Sequence, residues 1–206
     1  DYITINISSP NTPNLRDFHE SKHLKKVIMS VKNGILKSKN SNLEVLIFLK
    51  IAPDINSNDL EKIIKISSQN NITGLIISNT TIDREINLKS SNLKELGGLS
   101  GAPLFFKSTT LLSLANQIIK NNNYKLHLIA AGGVSDCQSA YTKILCGAHL
   151  IQLYTSMTYK GPMIANEITK GLLLLMKRDN ITNLDDIRGI VKNPETAIKI
   201  ASNGFK

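Results

Sequence analysis

The stretch LHLIAAGGVSDCQSAYTKILCGAHLIQLYT, residues 126–155, decides the fold class of this chain. It opens with the apolar run LHLIAA, passes through two glycines into a helix-like segment, and closes with the apolar run LIQLY. Ser135 and Gln138 have the spacing of a helix-capping pair, and Gly147 follows the predicted helix where helices commonly stop. A strand, a helix and a second strand of these lengths predict a βα unit in a parallel sheet.

The same alternation recurs along the whole chain. Apolar runs of β character are separated by segments whose apolar residues have helical spacing, which is typical of an α/β protein. Five such runs stand out, at residues 2–7, 45–51, 75–78, 126–131 and 150–154.

Polar residues follow the carboxyl end of every predicted strand, in the segments NISSPN, KIAPD, SNTT, AGG and YTS. A doubly wound sheet gathers its ligand-binding residues at one switch point, whereas a (β/α)8 TIM barrel turns all its strand ends toward one mouth. Five polar strand ends therefore favour a barrel. Because the sequence begins on a strand and supplies five units, we expect residues 1–206 to be the carboxyl-terminal part of a single barrel domain, with about three units missing at its front.

Composition argues against a nucleic-acid partner. The net charge is +9, but only four of the 25 basic residues are arginine and aromatic residues make up 5% of the chain, so base-reading and stacking groups are scarce. The longest apolar run near the end, residues 172–176, is far shorter than the roughly 20 residues of a membrane span. Cys137 and Cys146 match no disulfide or zinc pattern, and we expect two buried thiols.

Two neighbouring strand ends have the pattern of a phosphate site. Gly132 and Gly133 precede a predicted helix, and backbone amides at such a turn can face an anion. Tyr154 and Thr155 end the next strand, and barrels frequently build phosphate sites from their last two strand ends. The glycine pair taken alone is a weak signal, because two glycines at such a turn often form only a tight corner.

Lys50 lies within the apolar strand VLIFLKIA. A lysine buried without a partner is unfavourable, so we expect its amine to face a polar site at the strand end. The spacing leaves two roles open: a Schiff base, as in a sugar-phosphate aldolase, or a cation that serves an anionic ligand. The four histidines have no metal-ligand spacing, and no metal is expected.

Six motifs in order resemble a known family. NISSPNTPNLR, FLKIAPD, GLIISNTT, GGLSGAPL, AAGGV and LIQLYTSMTYKGP closely resemble segments of the dihydroorotate dehydrogenases, from residue 1 to about residue 190. The resemblance is to the quinone-dependent, membrane-associated class, because SSPN has Ser9 where the soluble class has cysteine. It implies oxidation of dihydroorotate to orotate in pyrimidine biosynthesis, with FMN as hydride acceptor and a quinone as final electron acceptor.

The resemblance also implies a role for each matching residue. Ser9 would be the catalytic base that takes the C5 proton of dihydroorotate while hydride leaves C6. Lys50 would lie beside the pyrimidine side of the flavin ring. Substrate contacts would come from Asn6, Asn11, Asn79 and Thr80. FMN contacts would come from Asn6, Lys50, Ser78, Gly101, Gly133, Tyr154 and Thr155, the last three near the phosphate.

The family's first strands, and the amino-terminal helical pair that forms its quinone tunnel, have no counterpart in these 206 residues. The resemblance therefore implies that the intact enzyme associates with a bacterial or mitochondrial inner membrane through a segment outside this chain. Two further interpretations stay open: another FMN barrel oxidoreductase, of the dihydropyrimidine or dihydrouridine reductase type, and a non-catalytic barrel fragment. Flavin absorbance, and its response to dihydroorotate, would distinguish them.

Overall fold

The computed structural model describes residues 1–9, 21–38, 45–84, 88 and 94–205. The strands are β1 (Tyr2–Asn6), β2 (Leu46–Ile51), β3 (Gly74–Ile77), β4 (His127–Ala131) and β5 (Leu150–Gln152). The α-helices are α1 (Ser21–Leu36), α2 (Ser57–Gln69), α3 (Phe105–Asn121), α4 (Cys137–Leu145), α5 (Thr155–Lys160), α6 (Ile164–Arg178) and α7 (Pro194–Asn203). Two short 3-10 helices lie at Ala102–Leu104 and Leu184–Asp186. All five predicted strands are confirmed, with ends shifted by at most two residues.

The strands form one parallel sheet in the order β1-β2-β3-β4-β5. Each strand pairs with the next one in sequence, as in a barrel, and no strand order reversal of the doubly wound kind occurs among the described residues. Asn6 lies opposite Lys50, and Ala131 lies opposite Gln152, so the carboxyl ends of the strands share one edge of the sheet. Within the described part of the chain, β1 and β5 are the two edge strands.

The sheet buries apolar side chains on both faces. Leu49, Leu75 and Leu128 are at most 1% exposed and belong to the main core, together with apolar residues of the helices. Their neighbours Phe48, Ile76 and Ile129 form a separate small cluster with Ala131. Successive strand residues point to opposite faces, so this second cluster occupies the other side of the sheet. Continuous apolar strands of this kind are typical of parallel sheets covered on both faces.

Helix α4 begins one residue later than the sequence pattern predicted. The cap is Asp136, whose carboxylate accepts a hydrogen bond from the backbone N of Ser139 at 2.7 Å, while the Ser139 hydroxyl accepts from the backbone N of Asp136 at 3.1 Å. The predicted pair of Ser135 and Gln138 is therefore wrong by one position. Gly147 follows the helix with a φ of 119°, as predicted.

The two cysteines have different surroundings. Both are free thiols, but only Cys146 is buried; Cys137 is partly exposed at the first position of α4, which corrects the expectation of two buried thiols. A search of the helices that the structure describes finds none with the length and apolar content of a bilayer span.

Candidate functional site

A cavity of about 690 Å³ lies at the carboxyl ends of β2 to β5. We call it the strand-end cavity. Most of the residues that the motifs singled out line it: Lys50, Ser78, Asn79, Thr80, Gly101, Gly133, Tyr154 and Thr155. They come from four strand ends and the loop before α3, and the parallel sheet brings them together because all its strand ends share one edge.

Lys50 lies near the end of β2 with its side chain half-buried against the strand-end cavity. Burial lowers the pKa of its amine, and no carboxylate among the described residues offsets that effect. A partly desolvated cation that faces a cavity is suited to stabilising negative charge on a ligand.

Asn6 and Asn79 meet through a buried serine that sequence reasoning missed. Ser8 is fully buried; its hydroxyl donates to Asn6 Oδ1 at 2.7 Å and accepts from Asn79 Nδ2 at 3.0 Å. Asn79 Nδ2 also lies 3.5 Å from Asn6 Oδ1. The motif SSPN contains two adjacent serines, and the sequence-based prediction selected only the second, Ser9.

The end of β1 lies beside the strand-end cavity, because Asn6 and Ser8 contact Asn79, which lines it. Asn6 and Ser9 do not line it, although Asn6 reaches it through its contact with Asn79. Ser9 is half-buried and directly follows the buried Ser8. Asn11 lies outside the described residues, so its predicted substrate contact stays a prediction.

Gly132 and Gly133 form a turn that packs directly on α3. Their φ angles are 106° and 76°, a region that favours glycine. A Cβ on Gly133 would lie 2.4 Å from the Cβ of Phe105, so the close approach of turn and helix requires glycine at this position.

Another part of the lining joins the loop at Gly101 to the start of α5. Thr155 and Ser100 form a hydrogen bond between their hydroxyls at 2.9 Å, and Thr155 lies next to Gly101. Tyr154 is 85% exposed. The loop and the start of α5 therefore hold each other in place in the lining of the cavity.

Lys160 is a lining residue that sequence reasoning did not select. Its amine donates to the backbone O of Ser135 at 2.8 Å. Ser156, also in the lining, donates to the backbone O of Val134 at 2.6 Å. Both lie in the YTSMTYKGP motif, and the helical spacing of that segment was the signal that could have indicated them. Among the described residues, no group of three or more His, Cys, Asp or Glu side chains could hold a metal ion.

An ion-pair network anchors the strand ends of β2 and β3 to α3. Lys107 lies 2.6 Å from Asp54 and 2.9 Å from Asp83, and Thr81 donates to Asp54. Burial alone would raise the pKa of Asp54, but hydrogen bonds from Lys107 and Thr81 outweigh it and hold the pKa below its usual value. Arg84 donates to the backbone O of Thr81 at 3.3 Å and to that of Gly97 at 2.6 Å, so it connects this network to the loop that leads to Gly101.

Comparisons with known proteins agree on one family. The sequence model described as Dihydroorotate dehydrogenase matches residues 1–176. A dihydroorotate dehydrogenase (quinone) from Brucella anthropi is 40% identical over 192 residues, which cover 91% of this chain and 51% of that relative. One from Cereibacter sphaeroides is 38% identical over 192 residues, covering 92% of this chain and 51% of that relative.

Solved structures give the same result. DHODH from Eimeria tenella, determined in complex with ferulenol, superposes with a TM-score of 0.84 at 32% identity, over 92% of this chain and 53% of that one. Its ligand-free form gives a TM-score of 0.84 at 33% identity, over 92% and 55%. The fold is therefore part of a TIM barrel, as predicted. The chain spans about half the length of the curated relatives it matches.

Proposed function

Because this chain belongs to the dihydroorotate dehydrogenase family, we propose that it supplies the carboxyl-terminal part of an enzyme that oxidises dihydroorotate to orotate with a quinone as final electron acceptor. The reaction serves pyrimidine biosynthesis. The observation that carries the proposal is the strand-end cavity, where a half-buried amine at Lys50, a carboxamide at Asn79 and a glycine turn at Gly133 line one space. The amine can stabilise charge on a reduced flavin ring, the carboxamide can bind an imide-like substrate, and the glycine turn can bind a phosphate.

FMN is the cofactor that fits this cavity. A volume of about 690 Å³ is in the range of small-molecule sites, and the Gly132–Gly133 turn sits where a phosphate would meet backbone amides. When bound, FMN accepts the two electrons that the substrate releases. The phosphate would be held by Gly133, Tyr154 and Thr155. The flavin ring would be contacted by Asn6, Lys50, Ser78 and Gly101.

The asparagines recognise the substrate. Asn79 Oδ1 accepts from the backbone N of Thr80 at 2.8 Å, which orients its NH2 group toward Ser8 and Asn6. Asn6 uses its Oδ1 for Ser8 and Asn79, so its own NH2 group points away from these partners. The N–H groups of Asn6 and Asn79 that these contacts do not use are donors for the carbonyl oxygens along a pyrimidine edge. Asn11 and Thr80 complete the proposed substrate contacts.

Ser9 removes the C5 proton of the substrate. A serine hydroxyl is a weak base at its usual pKa, so the step requires exclusion of water and a route for the proton to leave. The half-buried position of Ser9 next to the buried Ser8 is consistent with partial exclusion of water. The role of base comes from the resemblance of the SSPN motif to that of the quinone-dependent class.

Further strands complete the barrel. Tyr2 is 49% exposed and Leu150 is 62% exposed on the two edge strands of the described sheet, and apolar edges of this kind invite pairing with other strands. We propose that the remaining βα units, the quinone site and the membrane contact belong to a part of the enzyme outside these 206 residues.

Steady-state turnover of the complete protein tests the function. Reduction of a soluble quinone analogue is measured with dihydroorotate and, in parallel, with dihydrouracil, which lacks the carboxylate and would give uracil instead of orotate. The proposal requires turnover with dihydroorotate and little with dihydrouracil. Preference for dihydrouracil would instead support a dihydropyrimidine reductase, and a protein that carries no flavin would support a non-catalytic barrel fragment.

A further inference from the structure

Lys143 is a fully buried lysine behind the Gly132–Gly133 turn, and the proposed reaction does not use it. It lies in α4, 0% exposed, and its amine donates to Ser108 Oγ at 2.6 Å. It also lies 3.4 Å from the backbone O of Phe105 and 5.0 Å from the centre of that residue's ring. Buried lysines are rare because desolvating the amine is unfavourable, so a role for this amine is expected.

The contacts around Ser108 determine where its single hydroxyl proton goes. Ser108 Oγ lies 3.1 Å from the backbone O of Phe105 and 3.1 Å from the backbone O of Gly132. The Phe105 carbonyl already accepts from Thr109 at 2.6 Å and from Lys143. Because Lys143 occupies a lone pair of Ser108 Oγ and helps to satisfy Phe105, the serine proton is left for Gly132.

That hydrogen bond sets the orientation of one peptide group. In a trans peptide the C=O and the following N–H point in opposite directions. The Gly132 carbonyl is held toward the buried Ser108, so the N–H of Gly133 points away from Ser108, and Gly133 itself lines the strand-end cavity. A peptide between two glycines with positive φ has few steric restraints of its own, because neither residue carries a Cβ.

We infer that Lys143 and Ser108 are positioning residues that lock the Gly132–Gly133 peptide with its N–H toward the phosphate of the bound flavin nucleotide. The inference rests on the proposed function, because it takes FMN as the occupant of the cavity. Lys143 touches neither the cavity nor the reacting atoms, and it acts through Ser108. Its amine supplies a donor within the core, where water cannot replace it, which accounts for a lysine at a fully buried position.

Paired affinities for FMN and riboflavin test this inference. Riboflavin has the same ring but no phosphate, so the ratio of the two dissociation constants isolates the phosphate end. The variants are Lys143→Met and Ser108→Ala, measured by flavin fluorescence on the complete protein after its flavin is removed. Tyr141→Phe is the matched control, since Tyr141 is equally buried in α4 but donates to Asp179 at 2.9 Å, away from the turn.

Both positioning variants should weaken FMN binding on the order of tenfold, as expected for one lost hydrogen bond to a charged group, and should change riboflavin binding less than twofold. Tyr141→Phe should lower the melting temperature and leave the ratio unchanged. Equal losses for both flavins, or an unchanged FMN affinity, would overturn the inference alone. A wild-type protein that binds neither flavin would overturn the proposed function and the inference with it.

Discussion

Replacing Lys143 by methionine should change how stability depends on pH. Desolvation lowers the pKa of this amine from 10.5 to about 7, so below pH 7 the folded protein holds a buried ammonium group that the unfolded chain would leave in water. Between pH 7 and 10 the unfolded chain binds the proton and the folded protein does not, so the stability of the wild type rises with pH. Over that interval the gain relative to Lys143→Met is roughly 3.5 kcal/mol, because each pH unit contributes about 1.4 kcal/mol and the slope is shallower close to the two pKa values.

Urea unfolding of the complete protein at pH 6, 7, 8, 9 and 10 measures this effect. The difference in unfolding free energy between wild type and Lys143→Met should shift in favour of the wild type as the pH rises above 7, and should change least between pH 6 and 7. Lys62→Met removes an exposed lysine of α2 and controls for the loss of one amine. If the unfolding free energies of wild type and Lys143→Met change with pH in parallel, burial does not lower the pKa of Lys143, and this prediction is wrong.

The other predictions concern the proposed site. Ser9→Ala should keep FMN but slow flavin reduction by dihydroorotate on the order of a hundredfold or more in stopped-flow measurements; an unchanged rate would remove Ser9 from the mechanism. Lys50→Met should lower the flavin reduction potential and weaken FMN retention, and an unchanged potential with full flavin content would reopen the Schiff-base role. Gly133→Ala should release FMN, because its Cβ would lie 2.4 Å from the Cβ of Phe105, whereas Gly161→Ala has a similar φ with no atom within 4 Å and should retain FMN in the same absorbance assay.

The sheet was predictable from the sequence because its signals are local. Each strand is a short apolar run, and each run ends in a polar motif. The turn at Gly132 and Gly133 was predictable for the same reason, because two adjacent glycines between a strand and a helix predict a tight turn without reference to any distant residue. The polar residues that follow all five strands, together with the order of the motifs, were enough to predict a partial barrel.

The buried polar contacts were not predictable because they depend on partners distant in sequence. Ser8 and Ser9 look alike in SSPN, and the structure distinguishes Ser8 by its full burial and its contacts with Asn6 and Asn79. Lys143 reads as a surface lysine until α3 supplies Ser108 and Phe105 as its partners. One local signal was present: Lys143 is the only acidic or basic side chain in AYTKILCGA, a segment too apolar for an exposed helix.

Anaerobic addition of dihydroorotate to the purified complete protein tests the central claim most directly. The claim is that the strand-end cavity holds an FMN that this substrate reduces. We expect a yellow protein whose flavin absorbance bleaches on adding dihydroorotate and returns on adding a quinone. A colourless protein, or a flavin that stays oxidised in excess dihydroorotate, would contradict it.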